Sequence, residues 1–351
     1  MTRKKVALVT GATGVVGRNL IEHLCNLGDW EIAAVSRRKP EVACGVRHIP
    51  ANLMDSGDCA AALGGLTDIT HIFHCAYVEM PTRAAMVQPN LAMLANTVET
   101  VERSSRGLEH VLIMQGTKYY GSHLGPFKTP AKEDDPRHAP PNFYYDLQDY
   151  VSKRSAGKSW SWSAPRPHAV IGFAVGNPMN LSTVIAVYAT LCKDLGLPFA
   201  FPGTDASYNA LYQCSDAQLL ARSMVWMATT PECANQAFNI INGDLIRWKN
   251  VWPAFARFFD MEAAPPCAMN LATSMADKGP LWKKLVARHG LKPYAYDEIV
   301  SWPYGDIVFS TGHDIISDTG KARRFGFHDV IGTEELFLQV FESYRKNRVI
   351  P

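Results

Sequence analysis

The stretch "KVALVTGATGVVGRNLIEHLCNLG" constrains the fold more than any other part of the chain. Residues 6–10 form an apolar run that reads as a buried strand, and residues 17–28 carry the spacing of an amphipathic helix. Between them, Gly11, Gly14 and Gly17 fall at three-residue intervals. Glycines placed there permit a tight turn and let backbone N–H groups approach a pyrophosphate at a helix N-terminus. The turn, Gly11, Thr13, Gly14, Val15, Val16 and Gly17, is therefore the expected dinucleotide cradle. A glycine turn without a ligand is the plainer alternative.

Further apolar runs at 31–37, 47–53, 70–76, 109–115 and 167–173 read as strands, and 237–243 as one more. Helical patterns such as "SGDCAAAL" and "PNLAMLANTVETVERSS" lie between the earlier ones. Alternation of this kind predicts an α/β fold with a doubly wound parallel sheet. The second half is less regular, with helices expected at 179–196 and over "RWKNVWPAFARFF". The expected division is a dinucleotide-binding domain over 1–176, with a returning segment at about 207–243. Residues 177–206 and 244–351 then form a smaller substrate-binding region. In "RWKNVWPAFARFF", Trp248, Val251, Trp252, Phe255 and Phe258 recur at helical spacing and read as core.

A hydrophobic fraction of 47% and a charged fraction of 19% describe a globular chain. A net charge of +2 argues against nucleic acid or a membrane surface as partner and leaves small molecules or further copies of the chain. The eight cysteines are scattered and include no CxxC pair. This pattern predicts reduced thiols, no metal site and a cytoplasmic setting, and no apolar segment precedes the first strand.

The end of the second strand selects the dinucleotide. An acid there would hold the ribose hydroxyls of NAD, but the chain has Ser36, Arg37 and Arg38. Guanidinium groups pair with a 2′-phosphate, so NADP(H) is the expected cofactor. Lys39 reads as a solvated neighbour. Asn52 and Leu53 are expected to flank the adenine, and Cys75 and Ala76 to border the cofactor's path. Cys75 lacks the partners of a nucleophile and reads as a small packing residue.

The glycine pattern and run of strands resemble the extended short-chain dehydrogenase/reductases. That resemblance implies a Tyr with a Lys four residues later on one helix. None of the thirteen tyrosines here has that partner: Tyr144 is followed by Gln148, Tyr145 by Asp149 and Tyr150 by Arg154. "GTKYYGSHLGPF" and "PNFYYDLQDY" resemble a narrower group, the progesterone 5β-reductase and iridoid synthase-like family. "SAPRPHAVIGF", "FPGT", "AFNIINGDLIRWKNVW" and "NRVIP" extend the likeness over nearly the whole chain.

The resemblance implies NADPH-dependent reduction of enone double bonds, with Lys118 and Tyr144 or Tyr145 catalytic. Tyr144 is the better match to the family's helix. Lys118 is also expected beside the cofactor. Tyr120, Phe127 and Tyr304 are candidate walls of a substrate pocket, with plain core packing as the alternative. A homodimer is implied as well, although no apolar stripe marks an interface. The chain departs from the family at Tyr119, where histidine is more common, and at Gln148, where an acid is common. The competing readings are a carbonyl 1,2-reductase and a non-catalytic NADP(H)-binding protein.

Overall fold

Strand β1 (Lys5–Thr10) has side chains buried on both sides, which requires cover on both faces of whatever sheet it joins. The structure, a computed structural model, describes residues 4–42, 44–177 and 179–351. In chain order the remaining strands are β2 (Trp30–Val35), β3 (Arg47–Ile49), β4 (His71–His74), β5 (His110–Ile113) and β6 (Ser161–Arg166). Then come β7 (Val170–Ile171), β8 (Phe199–Ala200), β9 (Ser215–Asp216), β10 (Gln236–Asn239) and β11 (Ala263–Ala264). Seven of them form one sheet in the order β10-β6-β5-β4-β1-β2-β3, and every neighbouring pair is parallel.

Alternation along each strand separates two cores. Val6 and Leu8 join Val35, Ile72, Val111 and Ile113 on one face. Ala7 and Val9 join Ile32, Phe73 and Leu112 on the other. Helices α2 (Ser56–Leu63), α3 (Arg83–Ser104) and α4 (Phe143–Ser155) cover the first face with Leu63, Leu94, Val98, Leu147 and Val151. Helix α1 (Val15–Leu27) and the helix Ala217–Thr229 cover the second with Leu20, Leu24, Leu220 and Met224. Each such buried aliphatic side chain stabilises the fold by about 1.5–3 kcal/mol. The strand order reverses at β1, with β4 on one side and β2 on the other, and crevices open at such switch points.

A third core gathers α5 (Leu181–Asp194), the helix Trp248–Phe258 and the helix Thr333–Lys346. Trp248, Val251, Trp252 and Phe255 are buried there, and Trp252 stacks on Phe199 at 4.6 Å. Phe258 lies at the rim of the same cluster.

The structure corrects several expectations. The sheet strand after β5 is Ser161–Arg166, and the run 167–173 contributes only the two-residue β7. "SWSAPR" hides its strand character, because Ser161 and Ser163 turn their hydroxyls to the His110 ring at 2.9 and 2.8 Å. On the opposite side Trp162 and Ala164 enter the core. Helix α3 begins at Arg83, capped by Thr82, and carries Pro89 inside it instead of starting there. The thiols of Cys25 and Cys44 are joined as a disulfide with a Cα–Cα distance of 6.2 Å, against the expectation of reduced cysteines. No motif announces this pair, because the fold alone brings the end of α1 against the β2–β3 connection. Among the described residues, no helix is long and apolar enough to cross a membrane.

Candidate active site

At Gly11 the chain takes φ +66°, and a Cβ there would stand 2.6 Å from the Cys75 carbonyl oxygen. A Cβ at Gly17 would stand 2.4 Å from the Gly11 oxygen. Neither position tolerates a side chain, so the loop lies flat against the ends of β1 and β4. Gly14 precedes helix α1 and gives it no side-chain cap, and its first turn carries no acid. Its first N–H groups and positive end are therefore open to an anion. A pyrophosphate fits this cradle.

Gly11, Thr13, Gly14, Val15, Val16, Gly17, Ser36, Arg37, Arg38, Asn52, Leu53, Cys75, Ala76 and Lys118 all line one cavity of about 470 Å³. The sequence therefore names residues that the fold gathers. At the end of β2, the Ser36 hydroxyl donates to the Arg38 carbonyl at 2.6 Å and shapes the corner. Arg37 and Arg38 stand exposed on the rim. Arg38 lies 3.5 Å from the Glu298 carboxylate, an exposed pair that solvent screens. The Asn52 N–H donates to Asp58 at 2.6 Å, and Asn96 donates to the Leu53 carbonyl at 2.9 Å, fixing the wall beyond.

The other end of the cavity is built from the strands beyond β1. After β5 the chain passes Gly116 into a 3-10 turn, Thr117–Tyr120, which carries Lys118. The Lys118 carbonyl accepts from Asn142 Nδ2 at 2.9 Å. Asn142 also caps α4, its oxygen accepting from the Tyr144 N–H at 3.1 Å. One buried amide thus ties the lysine's turn to the helix that carries the tyrosine. Lys118 and Tyr144 both line the cavity.

A Cβ on Gly116 would stand 3.4 Å from the Tyr144 hydroxyl, so glycine leaves room in front of that oxygen. Burial, with the nearby Glu79 carboxylate, pushes the Tyr144 hydroxyl above its ordinary value. It is a protonated hydrogen-bond donor at neutral pH. Two imidazoles feel the Lys118 charge and remain neutral. His168 is held at about 3 by burial and Lys118. His123 is held at about 4 by burial, Lys118, Arg83 and His138.

Tyr145, one helical position on, turns the other way. Its hydroxyl donates to the Tyr119 carbonyl at 2.7 Å and accepts from the His138 N–H at 3.0 Å. Of the three candidate pocket aromatics, Tyr304 lines the cavity, while Tyr120 and Phe127 do not. Tyr120 donates to Asn239 at 2.7 Å and accepts from Arg166 at 2.9 Å. Phe127 packs edge-on to His313. Both are satisfied elsewhere by residues far along the chain.

Among the cavity residues that escape the sequence reading are His74, His168, Asn177, Tyr212 and Ile307. His168 falls inside the run read as a strand. Asn177 Nδ2 lies 3.6 Å from where a Gly14 Cβ would be, beside the cradle. Only its place after β6 and β7, at the sheet's C-terminal edge, could have marked it.

The position four residues after Tyr144 has a structural part. Gln148 Oε1 accepts from Gln115 at 3.1 Å and from Arg166 at 3.2 Å. Arg166 is 1% exposed, donates to Gln115 Oε1 at 2.8 Å and covers the Tyr119 ring at 3.4 Å.

Residues 56–351 match the model of a family described as a PRISE-like Rossmann-fold domain. The chain belongs to this family. An (S)-8-oxocitronellyl enol synthase of Camptotheca acuminata is 32% identical to it, over 99% of this chain and 94% of the relative. A 3-oxo-Δ4,5-steroid 5β-reductase of Arabidopsis thaliana is 29% identical over the same shares. The family fold extends to more distant structures. A UDP-glucose 4-epimerase of Thermotoga maritima, solved with UDP-glucose, superposes with a TM-score of 0.69 at 15% identity, covering 97% of this chain and 99% of that one. The PRISE-like family thus shares its fold with such distant structures, and in this chain Lys118 and Tyr144 sit on two separate elements, the 3-10 turn and α4.

Proposed function

We propose that this protein is an NADPH-dependent reductase that saturates the carbon–carbon double bond of α,β-unsaturated carbonyl compounds. The observation that carries the reading is the convergence of Lys118 and Tyr144, from two separate elements, on the cavity that the glycine cradle and Arg37–Arg38 rim open. The names of the relatives, an enol synthase and a steroid 5β-reductase, support the same chemistry. A dinucleotide held by the Gly11–Gly17 cradle and the Arg37–Arg38 rim would supply the hydride for the β-carbon of the enone. The double-bond electrons shift towards the carbonyl, negative charge grows on its oxygen, and a solvent proton taken up at the α-carbon completes the saturated ketone. Tyr144, protonated and facing open space, donates a hydrogen bond to that oxygen where the charge develops. Lys118 adds a positive potential at the same end. Arg37 and Arg38 select the 2′-phosphate.

Tyr212, Tyr304, Ile307 and Val308 give the chamber an apolar wall suited to a hydrocarbon skeleton. The separate core of residues around α5 and Trp248–Phe258 supports assigning 177–206 and 244–351 to the substrate side. The test is incubation with NADPH and a panel of enones, saturated ketones and aldehydes, followed by product identification. A saturated ketone from an enone is expected; an allylic alcohol, or no turnover of any enone, refutes the reading. Lys118→Ala and Tyr144→Phe should each lower kcat by about 10²-fold or more with NADPH still bound.

A further inference from the structure

Two unfilled ring nitrogens lie on the wall of the cavity. Among the described residues, the buried side-chain polar atoms without a hydrogen-bond partner are Trp30 Nε1, His74 Nε2, His168 Nε2 and the Ser317 hydroxyl. Of these residues only His74 and His168 line the cavity. A buried polar atom left unpaired is costly, and a bound ligand removes that cost. His74 ends β4 within the sheet, its Nδ1 3.2 Å from the Thr10 hydroxyl. His168 stands beyond the sheet, just after β6. Its Nδ1 lies 2.5 Å from the Thr117 hydroxyl, and its ring packs on Tyr212 at 4.8 Å. The two connections are held together by the Thr117 N–H, which donates to the Pro167 carbonyl at 3.1 Å.

The order of the strands says what meets His168. The glycine cradle follows β1 and the arginines follow β2, on one side of the reversal. Lys118, Tyr144 and His168 lie beside the ends of β5 and β6, on the other. A dinucleotide laid across the crevice puts its adenosine half over β2 and β3 and its nicotinamide beyond β4. The carboxamide is the polar substituent of that ring. We propose that His168, with Nδ1 accepting from Thr117, donates from Nε2 to the nicotinamide carboxamide oxygen and so fixes the ring face turned to the substrate. This rests on the NADPH reading above. The imidazole is neutral, because burial and the adjacent Lys118 hold it at about 3, so it acts as a dipole of fixed direction. It is a positioning residue for the hydride donor, distinct from the group that stabilises the substrate oxygen.

The test compares two ligands by calorimetry: NADPH, and 2′-phospho-ADP-ribose, which is the same molecule without nicotinamide. His168→Leu should weaken NADPH about tenfold and leave 2′-phospho-ADP-ribose unchanged, which also reports an intact fold. His168→Gln, which keeps a donor, should recover part of the loss. The 3-acetylpyridine analogue of NADPH retains the ring's carbonyl oxygen but not the amide nitrogen, and should suffer the same His168→Leu penalty. Equal weakening of both ligands, no weakening of either, or an effect confined to the KM for the enone overturns the proposal. Tight NADPH binding without turnover of any enone sinks the enone reading and leaves this comparison decisive. Failure of the wild type to bind NADPH overturns both.

Discussion

Asn142 and Lys118 are joined by a 2.9 Å hydrogen bond from side-chain amide to main-chain carbonyl, and the same Asn142 caps the helix that begins beside Tyr144. Asn142→Ala removes both contacts. It should lower stability by about 1 kcal/mol through the lost cap and lower kcat about tenfold through the loosened pair. Asn142→Asp keeps the cap oxygen and loses the donor to Lys118. Its melting temperature should stay near that of the wild type while kcat still falls. Thermal melts and steady-state rates on the two variants separate capping from alignment, and equal kcat in Asp and wild type would show that the tie to Lys118 is dispensable.

Tyr144 and Tyr145 should differ in kind when each loses its hydroxyl. Tyr145→Phe leaves the Tyr119 carbonyl and His138 N–H without their partner, at a cost of about 1–3 kcal/mol. Turnover of the folded fraction should remain within about threefold of wild type, a difference of under 1 kcal/mol in the barrier. Tyr144→Phe removes an oxygen with no hydrogen-bond partner among the described residues, so stability should hold while turnover falls. Urea denaturation beside initial rates gives both readouts, and a collapse of turnover in Tyr145→Phe alone would reverse the two roles.

Arg37→Ala combined with Arg38→Ala should weaken NADPH at least tenfold and leave NADH within about twofold, because on the proposed function these guanidinium groups meet only the 2′-phosphate. Glu298→Gln should tighten NADPH slightly, since Glu298 lies 3.5 Å from Arg38 and competes for its guanidinium. Both effects should shrink in high salt, as exposed charges are screened. Equal losses for the two dinucleotides would remove the arginines from cofactor selection.

The buried histidines set a direction for acid stability. His74 is pushed down to about 4 by burial, His168 to about 3 by burial and Lys118, and His110 to about 3 by burial and His71. In the unfolded chain each gains its proton near 6.5, so stability is complete above that value and is lost as pH falls from 6.5 towards 4. Glu133, raised by burial, works in the opposite direction: its contribution is present below 4.5 and is lost as pH rises. Five depressed imidazoles, these three with His23 and His123, outweigh the raised carboxyls of Glu133, Asp146 and Asp216 over this window. Urea midpoints should therefore drop between pH 7 and pH 5, and His110→Gln should flatten the slope. A midpoint that rises on acidification would contradict the burial of these rings.

Local features of this chain were legible and distant pairings were not. Gly11, Gly14, Gly17, Arg37 and Arg38 lie within a few residues of a strand end, so their spacing alone marks them, and all five line the cavity. Lys118 stands out in the sequence because the helix carrying Tyr144 has no lysine at position 148, and it lines the cavity. Tyr120 stays out of the cavity because its hydrogen-bond acceptor, Asn239, is 119 positions away, a pairing that no local pattern signals. Strand β6 was displaced for a similar reason. Its serines serve a histidine on β5 and its last residue is a buried arginine, neither of which resembles an apolar strand. The Cys25–Cys44 bond likewise follows from how α1 lies beside the β2–β3 connection.

Gln148 carries a consequence for the layout of the site. The usual dehydrogenase arrangement would need a lysine at this position, but Gln148 accepts from Arg166 deep in the fold. Gln148→Lys would set an ammonium against an enclosed guanidinium that has no carboxylate within ion-pairing distance among the described residues. Moving the lysine onto the tyrosine's helix would thus disrupt the anchor before it could restore a working pair. On the proposed roles, Lys118 serves Tyr144 from an element that leaves this buried Gln148–Arg166 contact intact.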